Sequence, residues 1–226
     1  MKGLVLKDIF GVRFQMFGAV ALMLLPSLML ILGGGGMAVA EGIEPPPIEL
    51  SVLLYGLVNY ISITLCSSFL VNTLGFDERS GWAKMQRTMP VTGGEIIGAK
   101  FAAMGLILAM LTVMSLIVNI VCAQLFKIPL EPMIALPFVM CMVQAMSLSP
   151  TFTLGYRFGA KATTAAYICI MVLLAAAMAV IVFMVFAGDI GAAALRVIAY
   201  AVMPALTAAV VAVSWITGKR AVMVDI

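Results

Sequence analysis

The stretch Phe76–Phe101, FDERSGWAKMQRTMPVTGGEIIGAKF, decides how the whole chain is read. It holds three of the 10 acidic residues (Asp77, Glu78, Glu95) and four of the 13 Lys and Arg residues (Arg79, Lys84, Arg87, Lys100). The chain around it is 64% hydrophobic and only 10% charged. Globular domains carry roughly a quarter charged residues, so this composition belongs to a polytopic membrane protein and the quoted stretch is its one long polar interruption. A hydrophobic chain that gathers charge in one place is expected to meet a soluble partner there.

A membrane-crossing helix needs about 20 mostly apolar residues. Working outward from the polar stretch, the apolar runs predict spans at about Phe14–Gly34 and Leu50–Leu74 before it, and at about Ile96–Ala123, Met133–Tyr156, Thr164–Ala187 and Ala192–Ile216 after it. The expected fold is all-α, with six transmembrane helices in one domain covering 1–226 and no room for a separate soluble domain. Met1–Arg13 (MKGLVLKDIFGVR) mixes Lys2, Lys7, Asp8 and Arg13 with Leu4, Leu6, Ile9 and Phe10, which predicts an interfacial helix lying in the headgroup layer. Ala38-Val39-Ala40 before Glu41 has the form of a signal-peptide cleavage site, but the preceding apolar run is longer than a signal core, so an uncleaved span is expected. Gly33–Gly36 ends that span, and Pro45-Pro46-Pro47 among Glu41, Glu44 and Glu49 makes a short acidic loop.

All of the 13 cations except Lys127 and Arg196 fall at the start, in the central stretch, after the fourth span (Arg157, Lys161) or at the end (Lys219, Arg220). The positive-inside bias therefore puts both termini and the central stretch of a multi-pass protein in the cytoplasm. In the second run Tyr55, Asn59, Ser62 and Cys66 share one helical face. Such side chains avoid lipid, so this face either packs on other helices or lines a translocation path or dimer interface. Pro137 and Pro150 in the fourth run predict breaks or kinks around Gln144, Ser147 and Ser149.

Within the central stretch, Asp77 can cap a short helix that Pro90 must end, so a cytoplasmic helix is expected within residues 76–90. Trp82, Met85 and Met89 fall on one face of it, with Glu78, Arg79, Ser80, Gly81, Lys84 and Arg87 around them. Two readings fit: a helix lying on the membrane with Trp82 at the interface, or a ridge that fills a groove in a partner. Thr92-Gly93-Gly94-Glu95 then has the spacing of a capping box that opens the next helix.

The run Asp77, Ser80-Gly81-Trp82, Lys84, Met89-Pro90-Val91-Thr92, Glu95-Ile96, Gly98 and Lys100 resembles the cytoplasmic loop of ABC-2 type transporter permeases, and MKGLVLKDI resembles their start. The compact permeases similar to phenol-soluble modulin exporters are the nearest subgroup. The resemblance implies that the loop is a coupling helix, Asp77 to Thr88, seated in a groove of an ATP-hydrolysing subunit. It also implies a second permease copy or paralogue, and ATP and Mg bound by the partner ATPase. Gly93-Gly94 departs from the pattern, standing where these permeases often carry polar or basic residues.

No other chemistry is written in the sequence. Gly93, Gly98, Ala99 and Lys100 come nearest to a phosphate-binding loop but lack Gly-Lys-Ser/Thr, so the chain is not expected to bind ATP or to act as an enzyme. There is no histidine, and no HExxH, GxSxG or intramembrane acid pair. Cys66, Cys122, Cys141 and Cys169 lack metal-ligand spacing and read as free buried thiols, while the 19 methionines are scattered as packing residues. No metal site, cofactor or nucleic-acid partner is expected; membrane lipid is. The expected function is the permease subunit of an ATP-driven exporter of a hydrophobic or amphipathic cargo such as a peptide. An ATP-independent secondary transporter and a membrane scaffold subunit are the alternatives.

Overall fold

A computed structural model describes residues 2–30, 48–82, 85, 91–126, 129–186 and 197–224. The glycine run, the acidic loop as far as Pro47, Ala38-Val39-Ala40, Lys84, Arg87, Met89, Pro90, Lys127, Asp189 and Arg196 lie outside these residues, while Glu49, expected in that loop, is already helical. Of Tyr55, Asn59 and Cys66 only the helical backbone is described.

The described residues form six long helices: α1 Lys2–Leu30, α2 Ile48–Arg79, α3 Gly93–Phe126, α4 Leu130–Phe158, α5 Ala160–Phe186 and α6 Met203–Val224. Among the described residues three apolar stretches are long enough to cross a membrane, Gly93–Gln124, Leu130–Phe158 and Ile198–Val222, and nearly all of these residues are helical. The chain is thus a multi-pass membrane protein. α4 is the hub, packed on α2, α3, α5 and α6, while α1 lies against α2 and α3. The core is Ile63, Leu70, Val71 and Leu74 of α2, Met104, Ile107, Leu108 and Leu111 of α3, Met140, Leu148 and Phe152 of α4, and Tyr167 and Met171 of α5. Phe101 meets Phe152 edge to face with ring centres 6.4 Å apart.

α3 shows the logic of burial in lipid. Leu106, Met110, Val113, Ile117 and Val121 form an exposed apolar stripe, while Thr112, Ser115 and Asn119 are buried on the other side. In a bilayer the tails solvate leucine as well as a core does, so polar side chains are the ones that must face protein. Many of these satisfy themselves locally: Thr112 Oγ1 donates to the Leu108 carbonyl at 2.7 Å, and Ser67 Oγ to the Ile63 carbonyl at 2.7 Å. Ser62, from the polar face of the second run, is buried. Cys122 is buried and Cys141 half-buried, whereas Cys169 is exposed; a thiol is apolar enough to face lipid.

The prolines of α4 do not end the helix, which runs through both Pro137 and Pro150. Pro137 has no N–H for the carbonyl four residues back, Met133. The side chain of Asn119 on α3 fills that vacancy, with Nδ2 donating to the Met133 oxygen at 2.9 Å. A neighbouring helix thus repairs the ladder. Pro204 is accommodated differently: the turn before it, Ile198–Val202, is a π-helix, and the Met203 N–H reaches back five residues to Ile198.

Besides the exposure of Cys169, expected to be buried, two sequence expectations change. The segment 1–13 is not a separate interfacial element, because α1 runs unbroken from Lys2 to Leu30 and Asp8 is buried in the bundle. Helix α2 continues past Leu74 to Arg79, so Asp77 sits inside its last turns and caps no new helix. The physical stop is Gly81, at φ +73, with the Ser80 N–H bonded to the Phe76 carbonyl at 2.9 Å and the Gly81 N–H to the Glu78 carbonyl at 3.3 Å.

Candidate functional site

The helices alternate in direction so that the start of α1, the end of α2, the start of α3, the α4–α5 turn and the end of α6 share one end of the bundle. Asp8 meets Lys100 there. The Glu78 carboxylate lies beside Gly159, and the stem of Lys219 lies against Gly94. A Cβ at Gly94 would come 3.0 Å from Lys219 Cε, a contact the flexible lysine end can relieve by shifting.

Buried at this end is an ionic layer that no local pattern announces. Lys100 of α3 is 3% exposed and spends all three ammonium protons: on Asp8 Oδ1 of α1 at 2.8 Å, Asp77 Oδ2 of α2 at 2.9 Å and Thr73 Oγ1 of α2 at 3.4 Å. Asp77 accepts from Lys7 of α1 on its other oxygen. Thr73 in turn donates to the Leu70 carbonyl at 2.7 Å. Two cations and two anions balance, and both Asp77 oxygens are engaged. That balance matters in a buried site, because an isolated buried charge costs several kcal/mol and needs a hydrogen-bonded counter-charge to offset it. Lys7, Asp8, Gly11, Thr73, Phe76 and Asp77 line a cleft beside the layer.

The layer reaches the central stretch through Trp82. Lys7 Nζ stands over its indole ring at 4.7 Å, so one ammonium serves both the Asp77 carboxylate and an aromatic face. The indole Nε1 is buried and has no hydrogen-bond partner among the described residues. Beyond Gly81 a helical turn restarts, with the Met85 N–H on the Gly81 carbonyl at 3.1 Å. Arg79, Ser80 and Met85 are exposed there. The candidate docking residues thus divide. Asp77 is 5% exposed and bound to two lysines, so it offers nothing to a partner. Trp82 turns toward α1, Glu78 lies beside the α4–α5 turn, and Arg79, Ser80 and Met85 face outward.

Thr92 and Glu95 bond reciprocally at the start of α3. The Glu95 carboxylate accepts from the Thr92 N–H at 2.9 Å, and the Glu95 N–H donates to Thr92 Oγ1 at 3.3 Å. This clamp satisfies two backbone amides at the start of α3 that have no partner within the helix.

A second, uncharged polar layer lies deeper. Gln144 of α4 donates to Thr64 Oγ1 of α2 at 2.7 Å, and Tyr167 of α5 donates to the Thr64 carbonyl at 3.2 Å. Ser147 bonds back to the Gln144 carbonyl at 2.9 Å. Gln144 and Ser147 are fully enclosed, so this layer is a packing joint between three helices. Among the described residues no group of three His, Cys, Asp or Glu gathers where a metal could be held.

A family model described as ABC-2 family transporter protein matches residues 3–218. The chain belongs to the ABC-2 transporter family. Comparison with curated proteins gives no match, nor does comparison with solved structures. ABC-2 chains are typically the non-catalytic membrane component of a transporter and work in general with an ATPase partner. The match covers both poles of the ionic layer, from Lys7 to Lys100.

The sequence reading overlooked Asp8, Thr73 and Lys100 as one site. A faint signal existed: Lys100 is embedded in the apolar run IIGAKFAAM, and Thr73 and Asp77 are one helical turn apart. Each needs a partner if the helix is buried, but nothing local says that the partner of Lys100 is Asp8.

Proposed function

We propose that this ABC-2 chain is the permease subunit of an ATP-driven exporter. Its six helices cross a bacterial plasma membrane with both termini and the ionic end in the cytoplasm, and two copies, or a copy and a paralogue, pair with two ATPase subunits. The segment following Gly81 is the docking element. Its cargo is hydrophobic or amphipathic, such as a short peptide, because the connections on the outward side are too short to recognise a large hydrophilic one.

The observation that carries this reading is the join between the exposed loop residues and the bundle. Arg79, Ser80 and Met85 project outward, while Trp82 is tied through Lys7 to the layer that joins α1, α2 and α3. A push on the loop therefore reaches three helices through buried, directional contacts. The proposed docking set is Glu78, Arg79, Ser80, Gly81, Trp82, Lys84, Met85 and Arg87, with Asp77 acting behind it as an anchor. Thr92 and Glu95 hold the far end of the loop.

Co-purification in mild detergent tests the docking. An ATPase subunit should remain bound to the unaltered chain and be lost with Arg79→Glu plus Met85→Ala, while Leu106→Ala on the lipid stripe leaves it bound. Export by reconstituted vesicles with no nucleotide present would sink the proposal.

A further inference from the structure

The four charges of the ionic layer divide into two pairs that are each neutral, and the division follows the helices. Lys7 and Asp8 are sequence neighbours on α1, with Nζ 3.7 Å from Oδ1. Asp77 and Lys100 bind α2 to α3 at 2.9 Å. Parting α1 from α2 and α3 breaks the Lys7–Asp77 and Asp8–Lys100 contacts but leaves no net charge on either face. A layer with both cations on one helix and both anions on another could not part this way, because each face would keep two uncompensated charges. The side chain of Lys7 is already 34% exposed, so its route to water is open.

A replacement donor is also in place. The hydroxyl of Tyr156, on α4, is shut off from solvent and has no hydrogen-bond partner among the described residues. Its stretch of α4 lies along the end of α2, with Gly155 against Leu74 and Gly159 beside the Glu78 carboxylate, so the hydroxyl sits in the field of Asp77 and Asp8. A buried hydroxyl without a partner is costly, and both oxygens of Asp77 are already taken by lysines. When Lys7 withdraws, the Asp77 oxygen it held becomes free for Tyr156.

We propose that the layer is a releasable lock: the cytoplasmic half of α1 parts from α2 and α3 as a neutral Lys7–Asp8 unit, and the Tyr156 hydroxyl takes over the vacated oxygen of Asp77. Release also uncovers the Trp82 ring, which Lys7 now covers, so the state of α1 is felt in the loop. The lock belongs to this chain alone and holds whether or not an ATPase docks on it.

The test is a distance measurement between spin labels at Leu6→Cys on α1 and Phe158→Cys at the end of α4, both exposed and outside the layer. The chain, with its four native cysteines replaced by alanine, is held in lipid nanodiscs and read by double electron–electron resonance. Lys7→Gln with Asp8→Asn removes the α1 half and should enlarge the long-distance fraction by about threefold, the population change expected when roughly one hydrogen bond is lost. Adding Tyr156→Phe should reverse that gain, because the released state loses its donor. Tyr156→Phe alone should trim the long-distance tail of the otherwise unaltered chain, a comparison that does not depend on how well the doubly substituted chain folds. A merely structural layer gives a different result: unfolding temperatures shift while the distances stay the same. One unchanged short distance in all these proteins, or a long fraction indifferent to Tyr156, overturns the proposal.

Discussion

The bundle has two polar layers, and they are built on opposite terms. The deeper one, Thr64, Gln144, Ser147 and Tyr167, is uncharged, joins α2, α4 and α5, and keeps its donors bonded to carbonyls and hydroxyls. The outer one, Lys7, Asp8, Thr73, Asp77 and Lys100, is charged, joins α1, α2 and α3, and stands beside a cleft. A neutral hydrogen bond between helices contributes little beyond packing, because in the unfolded chain the same groups also find partners. A buried ion layer adds little net stability when intact, yet removing one member leaves a charge with no counterion and no water. The first arrangement fixes helices in place. The second can exist in two arrangements, provided charge stays balanced in both.

The sharpest way to break this comparison is to remove Lys100. Lys100→Met leaves Asp8 and Asp77 with Lys7 as their one remaining lysine partner among the described residues, and unfolding in detergent should show a loss of about 3–5 kcal/mol. A loss no larger than that of a neutral substitution would mean that the layer is wetter and less coupled than its burial implies. Next in size is Gln144→Leu in the deeper layer, which keeps the volume and deletes one donor; a loss of about 1 kcal/mol is expected by the same measurement. If it rivals Lys100→Met, the two layers do not differ in kind.

Asn119 refines the comparison, because its partner is a carbonyl freed by proline. Asn119→Leu should cost about 1 kcal/mol in the native chain and much less when Pro137→Ala restores the backbone donor, so a double-mutant cycle should return a coupling of that size. Additive effects would show that the Met133 carbonyl is satisfied some other way. The smallest effect is expected at Thr92→Ala, which frays only the first turn of α3. It should appear as faster amide exchange at Glu95 and Ile96 with little change in global stability.

Much of the architecture was legible in the chain. Apolar runs separated by glycine, proline and charge located the helices, and the loop motif pointed to the family that the match over residues 3–218 shows. Thr92 and Glu95 were legible because a capping box is local, with its partners three residues apart. The end of α2 was misread. Asp77 looked like a helix cap because aspartate often is one, and the Gly81 signal four residues later was the stronger. The continuous α1 was misread for a similar reason: Lys7 and Asp8 looked like residues for headgroups and water, when their partners lay across the bundle.

The order and character of the helices, the stop at Gly81 and the clamp at Thr92 depend on neighbours within a few residues, and such interactions are decided by local backbone geometry and the side chains that bond to it; these the sequence determined by itself. The pairing of Lys7 with Asp77, of Asp8 with Lys100 and of Asn119 with the Met133 carbonyl spans 70, 92 and 14 residues. Only the tertiary structure decided it. A buried charge or carbonyl in lipid must find a partner, and which one it finds is set by which helix packing brings within 3 Å.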